Sequence, residues 1–191
     1  MPSIYLAGPE VFHPEAMALG RAKQALCRAL GFEGLYPLDG EIPAGDLPPP
    51  ELALAIYRAN VGLIRQADLV IANLTPFRGP GADAGTVFEV GFALGLGKRV
   101  LGYRNVADSY LDRVRTWNIV PLTRDSAGHA TDRDGLMVED FGLGDNLMID
   151  GSLIEGGIPV IEHAAEPGAA LTDLTAFAHC LKRVQALLSS E

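Results

Sequence analysis

The chain has 191 residues, of which 48% are hydrophobic and 20% charged, a composition that excludes wholesale disorder and points to one globular domain. With 15 basic and 24 acidic residues its net charge is 15 − 24 = −9, which argues against a protein that grips nucleic acid through its phosphates. No apolar run approaches the ~18 residues of a membrane span, and the stretch Met1-Pro2-Ser3-Ile4-Tyr5 lacks the basic and then apolar order of a targeting segment, so a cytoplasmic protein with no membrane partner is expected.

The first expected element is a strand at residues 4–7, ending at Gly8-Pro9. His13-Pro14-Glu15 then opens a helix, with Pro14 in its first turn and Glu15 suited to the positive end of the dipole. Its apolar stripe is Leu19, Ala22, Leu26, Ala29 and Leu30, and Gly31 stops it. A second strand is expected at residues 34–37, followed by a Gly- and Pro-rich loop over 38–50, long enough to reach over a site. The helix expected at 51–66 carries Leu52, Ala55, Ile56, Ala59 and Leu63 on one face.

Residues 68–73 form the clearest strand, and their continuous apolar run suits a parallel strand covered on both faces. A glycine-rich loop spans 74–85, a helix 86–96 and a fourth strand 99–103. This alternation predicts a parallel sheet with right-handed crossovers and helices on both faces. The loops after Ala7, Pro37, Asn73 and Tyr103 then converge at the carboxyl edge, where such sheets bind ligands. Beyond lies a long excursion at about 104–168, with a helix at 108–118, a surface segment at 124–144 and a fifth strand at 157–161. Pro159 suits an edge or a bulge. A helix at 171–189 closes the chain, with Leu174, Phe177, Leu181, Val184 and Leu188 on one face. Cys27 and Cys180 fall in helical segments and read as buried thiols, although one long-range disulfide is also open.

Chemistry concentrates in Asp83-Ala84-Gly85-Thr86-Val87-Phe88-Glu89. One carboxylate sits on a loop and the other near the start of a helix, a pair able to do covalent and acid–base work at a glycosidic carbon. The plainer reading is capping: Thr86 as N-cap with Glu89 at N3, or Asp83 capping the same helix. Both readings can hold together. The loop does not have the spacing of a dinucleotide cradle, and no P-loop pattern is present. His13, His129, His163 and His179 show no ligand spacing, so no metal is expected. There is no Gly-x-Ser-x-Gly elbow. The acidic residues 132–145 lack the order of a calcium loop and read as a solvated face.

Four segments together resemble the nucleoside 2-deoxyribosyltransferase family: Ile4-Tyr5-Leu6-Ala7-Gly8-Pro9, the run from Asp68 through Asn73-Leu74-Thr75-Pro76-Phe77-Arg78 to Gly79, the stretch from Asp83 through Glu89 to Gly91, and Asn146-Leu147-Met148. The resemblance covers most of residues 4–150. It implies a flavodoxin-like α/β sandwich with a central parallel sheet of about five strands, no cofactor, and exchange of 2-deoxyribose between bases through a covalent sugar–enzyme intermediate. Glu89 matches the nucleophile, Asp83 the loop aspartate that protonates the leaving base or binds substrate, and Tyr5 the tyrosine that holds Glu89. Gly8 belongs to the expected substrate loop, and Phe12 is placed either to stack on a base or simply to pack. Asn146 and Met148 resemble an element that a neighbouring subunit inserts at the sugar hydroxyls, which implies at least a homodimer with shared sites. Where some members carry an aspartate on the second helix, this chain has Asn60, which hydrogen-bonds but delivers no proton.

Two rivals remain at this point. A nucleotide N-glycosidase of the same superfamily would pass the sugar to water and recognise a 5′-phosphate; Glu10, next to Gly8-Pro9, is expected to oppose that phosphate. A non-catalytic nucleoside-binding module would bind without turnover. The expected partners are otherwise 2′-deoxynucleosides and free bases.

Overall fold

The computed structural model describes residues 1–39 and 47–189. Part of the loop expected at 38–50 therefore lies outside the described residues. The central sheet has five strands, β1 (Ser3–Ala7), β2 (Glu33–Leu35), β3 (Leu69–Asn73), β4 (Arg99–Arg104) and, last in the chain, a short strand at Ile161–Glu162. Every pairing is parallel, and the first four strands lie in the order β2-β1-β3-β4 with the last beside β4. That is the doubly wound order of flavodoxin-like sheets. Tyr5 of β1 sits in register with Leu35 on one side and Val70 on the other.

Side chains alternate across the sheet and bury two cores. Ile4, Leu6, Leu69, Ile71, Leu101 and Tyr103 pack with Cys27 of α1 (Ala16–Ala29) and with Phe177, Leu181 and Val184 of the C-terminal helix Thr175–Leu188. On the other face Tyr5, Ala7, Val70, Ala72 and Val100 pack with Ile64 of α2 (Pro49–Gln66), Val90 and Ala93 of α3 (Ala84–Gly95), and Ile149 and Leu153 of the helix Leu147–Glu155. All five residues of β3 are buried, as expected for a strand covered on both sides. A one-residue slip would exchange the two cores, so the register is strongly held.

Several sequence boundaries shift. The chain coils into a short 3-10 turn at Pro9–Phe12, and His13 is extended (φ −75°, ψ 146°), so α1 starts at Ala16 and not at Pro14. Its buried face is Ala16, Leu19, Gly20, Lys23 and Cys27, while Ala29 is exposed. On α2 only Val61 and Ile64 are buried, and Ile56 is 40% exposed. The second strand stops at Leu35, before Pro37, which has no N–H for a ladder. The fifth strand begins only at Ile161, because Gly157 turns through φ +77° and Pro159 donates nothing.

The excursion contains α4 (Tyr110–Trp117), capped by Ser109, and a small antiparallel hairpin of β5 (Thr123–Arg124) and β6 (Ala130–Thr131). The helix Leu147–Glu155 is α5, the strand Ile161–Glu162 is β7 and the helix Thr175–Leu188 is α6. Two arginines fasten the excursion to the sheet edge. Arg104, fully buried at the end of β4, pairs with Asp150 and reaches Glu162 at 3.5 Å. Arg113 donates to Pro80 O at 2.7 Å and to Gly144 O, and lies 3.6 Å from Asp145.

Candidate active site

A cavity of about 290 Å3 opens at the carboxyl edge of the sheet, lined by Gly8, Phe12, Ile56, Asn60, Asp83 and Glu89, with Val11, Pro37, Leu38, Gly85 and Thr86 between them. It lies between the ends of β1 and β3, where the strand order reverses.

Local sequence explains each wall. Asp83 is extended (φ −61°, ψ 131°) and caps α3: its Oδ2 accepts from Thr86 N at 2.9 Å and from Thr86 Oγ1 at 3.0 Å. The alternative cap, Thr86 paired with Glu89, does not form, since Thr86 lies three residues inside the helix. One oxygen of Asp83 is thus spent on the helix, and the residue also lines the cavity. Glu89, on the next turn, accepts a 2.6 Å hydrogen bond at Oε1 from the hydroxyl of Tyr5. Tyr5 is fully buried in β1, and burial together with the Glu89 charge holds its phenol protonated, so the proton of that bond belongs to Tyr5. Burial pushes Glu89 up to about 7; the Tyr5 hydroxyl works against this, and the nearby Asp83 charge adds to it.

Glu10 is placed differently from the sequence expectation. It is fully buried, ion-paired with buried Lys23 of α1, and accepts from Asn73 Nδ2 at 3.0 Å. Its charge is spent inside the protein and does not oppose a ligand in the cavity. Asn73 in turn accepts from Thr75 N at 3.0 Å, and Thr75 Oγ1 from Asn105 N at 3.0 Å, so a buried polar chain ties the loops after β1, β3 and β4 together.

Of the expected site residues, the cavity gathers Gly8, Phe12, Asn60, Asp83 and Glu89, with Tyr5 bonded to Glu89. Asn146 and Met148 do not line it. Asn146 caps α5, accepting from Met148 N at 3.0 Å and donating to Glu139 Oε1 at 2.7 Å, and Met148 is 73% exposed. Val11, Pro37, Leu38, Gly85 and Thr86 also line the cavity without having been singled out as site residues, and so does Ile56, expected only on the apolar face of its helix. Nothing in apolar periodicity distinguishes a rim residue from a core residue. Beside Phe12 the rings of Phe12 and Phe77 stack at 5.4 Å, with the guanidinium of Arg78 against both.

A larger hollow of about 460 Å3 lies among Pro2, Asp68, Lys98 and Ser152, away from these carboxylates. Its polar groups are occupied: Asp68 accepts from Ser3 N and Oγ, and Lys98 donates to Arg65 O and Ala67 O. Cys27 and Cys180 are free, buried thiols. Among the described residues no group of three or more His, Cys, Asp or Glu side chains is arranged to hold a metal ion, and no helix is long and apolar enough to cross a membrane.

Fold and site thus define a doubly wound α/β protein with a half-buried, tyrosine-bonded glutamate at its switch point. The model of the nucleoside 2-deoxyribosyltransferase family matches residues 4–148, and the chain belongs to that family. A 2-desoxiribosyltransferase from Leishmania mexicana is similar over 95% of this chain and 98% of its own, with 28% identity and a TM-score of 0.62. An uncharacterized protein of Schizosaccharomyces pombe is 30% identical over 189 residues, covering 92% of this chain and 90% of that protein. A conserved protein from Enterococcus faecalis V583 shares the fold at 18% identity and a TM-score of 0.53, over 96% of this chain and 99% of that one.

Proposed function

We propose that the protein exchanges the base of 2′-deoxynucleosides by a retaining double displacement. The observation that carries this is the 2.6 Å hydrogen bond from buried Tyr5 to Glu89, which lines the cavity together with Asp83. A carboxylate oxygen of Glu89 attacks C1′ of the sugar, and the C1′–N bond breaks with its electron pair on the departing base. Asp83 or water supplies the proton that neutralises that base. The nitrogen of a second base then attacks C1′ as its N–H proton passes to Asp83 or water, the C1′–O bond to Glu89 breaks, and the Glu89 carboxylate is restored. Tyr5 fixes the direction of the attacking oxygen and stabilises its charge. Membership of the family supports this reading, and so does the size of the cavity, which is near the lower end of the small-molecule range. Asn146 and Met148 stand outside the cavity of their own chain, which supports a site completed by a neighbouring subunit.

The test is exchange between deoxyinosine and adenine, followed as deoxyadenosine and hypoxanthine by chromatography. Wild type should exchange, and Glu89→Ala should not while keeping its helical signal. A slow 2-fluorinated sugar analogue should leave its mass on Glu89. Exchange that survives the loss of Glu89, or a label found on another residue, removes Glu89 from the attacking role. Hydrolysis to a nucleotide's sugar phosphate and free base is the second reading, favoured by the burial of Glu10, which leaves no carboxylate at that position to repel a phosphate. Free deoxyribose or its 5′-phosphate without exchange would decide for it.

A further inference from the structure

The loop after β3 holds a cation whose use the reaction above does not explain. Phe77 N donates to Gly81 O at 3.0 Å, which closes the loop and leaves residues 78–80 at its tip. Arg78 stands there with φ 55°, the one non-glycine residue with positive φ among the described residues. An L side chain adopts that left-handed conformation at a cost, and such costs gather at ligand sites. The Arg78 guanidinium lies 4.6 Å from the ring centroid of Phe77 and 5.2 Å from that of Phe12. The two rings are nearly parallel, 15° apart, and Phe12 lines the cavity while remaining 56% exposed. No ion pair or hydrogen bond from Arg78 to another described residue occurs, so its donors are unspent. Across the same lining, Asn60 Oδ1 is buried without a hydrogen-bond partner among the described residues.

We propose that Arg78 reads the O6 and N7 edge of a 6-oxopurine stacked on the open side of Phe12, while Asn60 Oδ1 accepts an N–H of the same base. This rests on the base-exchange reading for the nature of the occupant. A guanidinium only donates, and its rigid fork matches two acceptors side by side. Hypoxanthine and guanine present O6 and N7 in that arrangement; adenine presents N7 beside an amino group that also donates. The seat of the guanidinium favours a base over a phosphate. It rests against the aromatic pair, the surface on which a planar ring stacks, and the cavity's own carboxylates, Asp83 and Glu89, oppose an anion.

Calorimetric titration of the full chain with hypoxanthine and with adenine tests this, using wild type, Arg78→Asn and Arg78→Lys. Asn tolerates the left-handed backbone, and Lys keeps the charge without the fork. Wild type should bind hypoxanthine at least about tenfold more tightly than adenine, and both variants should fall to near parity with circular dichroism unchanged. A preference that persists in Arg78→Asn, full retention by Arg78→Lys, or no binding of either base to wild type would overturn the proposal. So would tighter binding of deoxyinosine 5′-monophosphate than of deoxyinosine that Arg78→Asn abolishes. The same samples are assayed for exchange. Exchange with an unaltered base preference sinks the role of Arg78 alone; a preference that Arg78→Asn removes, in a protein that exchanges no base, leaves that role standing and sinks the transfer reading.

Discussion

Glu89 carries a conflict between two demands. An attacking carboxylate must be ionised, yet burial raises its affinity for a proton until the group titrates near 7. Tyr5 moderates this by donating to the ionised form. The attacking species therefore accumulates as pH rises, and kcat/KM should climb through about 7 and level above it. Tyr5→Phe removes the group that lowers the Glu89 pKa, so the same limb should move to higher pH, with the plateau also reduced. A pH profile of kcat/KM for both proteins checks this; an unmoved limb would show that another group governs it. The linkage to stability has the opposite sign from a salt-bridged acid. A raised carboxyl pKa means the folded state holds its proton more tightly, so this group favours folding at pH below its unfolded value and loses that contribution as pH rises through about 7. The site thus works in the range where its own charge weakens the fold.

Among the elements, α3 carries both a cap and the carboxylate proposed to attack. The Asp83 cap positions the first turn, and Glu89 follows one turn and a half later, against β1. Asp83→Asn keeps the cap, because Asn and Asp cap about equally, but removes charge and acidity; Asp83→Ala removes both, at about 1 kcal/mol. Thermal melts should leave Asp83→Asn near wild type and lower Asp83→Ala, whereas exchange should fall in both. Equal exchange in Asp83→Asn and wild type would reduce Asp83 to a cap. Much of this helix was legible beforehand, because its glycine-rich entry and paired carboxylates are local signals. Helix α1 was less legible. Of the expected stripe Leu19, Ala22, Leu26, Ala29 and Leu30, Leu19 is buried and Leu26 and Leu30 pack against the core, but Ala29 is exposed and the buried face also takes in Lys23 and Cys27. A lysine is almost never a core residue unless paired, and its partner Glu10 lies beyond a turn that periodicity does not reveal. The N-terminal half of α2 carries apolar residues whose surroundings periodicity does not reveal: Ile56 lines the cavity, and Leu54 and Tyr57 are exposed.

At the scale of the whole molecule, the alternation of strands and helices predicts the parallel sheet, and the family resemblance implies its flavodoxin-like form and the candidate site residues. The excursion resisted because its order comes from long-range arginine pairs, not from local repeats. Subunit contacts are also invisible to patterning in a single chain. Here the outer sides of α2 and α3 leave Leu54, Tyr57, Phe88 and Leu96 exposed, with Tyr57 and Phe88 rings 6.1 Å apart. Contiguous exposed aromatics of this kind mark contact surfaces. If neighbouring chains complete each other's sites, two inactive variants should rescue one another. Asn146→Ser keeps the α5 cap while removing the amide, and Glu89→Ala removes the proposed attacking group. Mixed and re-equilibrated, they should recover up to about a quarter of wild-type exchange, the share of sites in a random dimer that draw both intact parts. No recovery, alongside a monomer by light scattering, would place each site within one chain.

Gly8 gains a different meaning from its surroundings. A methyl group added there would lie 2.2 Å from Glu10 Oε2 and 2.8 Å from Asn73 Cβ. Such a change would never need to touch a nucleoside to do harm. It would press on the carboxylate oxygen that accepts from Asn73 and so disturb the glutamate that also pairs with buried Lys23, a partnership whose outright loss costs about 3–5 kcal/mol. The smallest residue at the mouth of the site is therefore the keystone of the electrostatics beneath it.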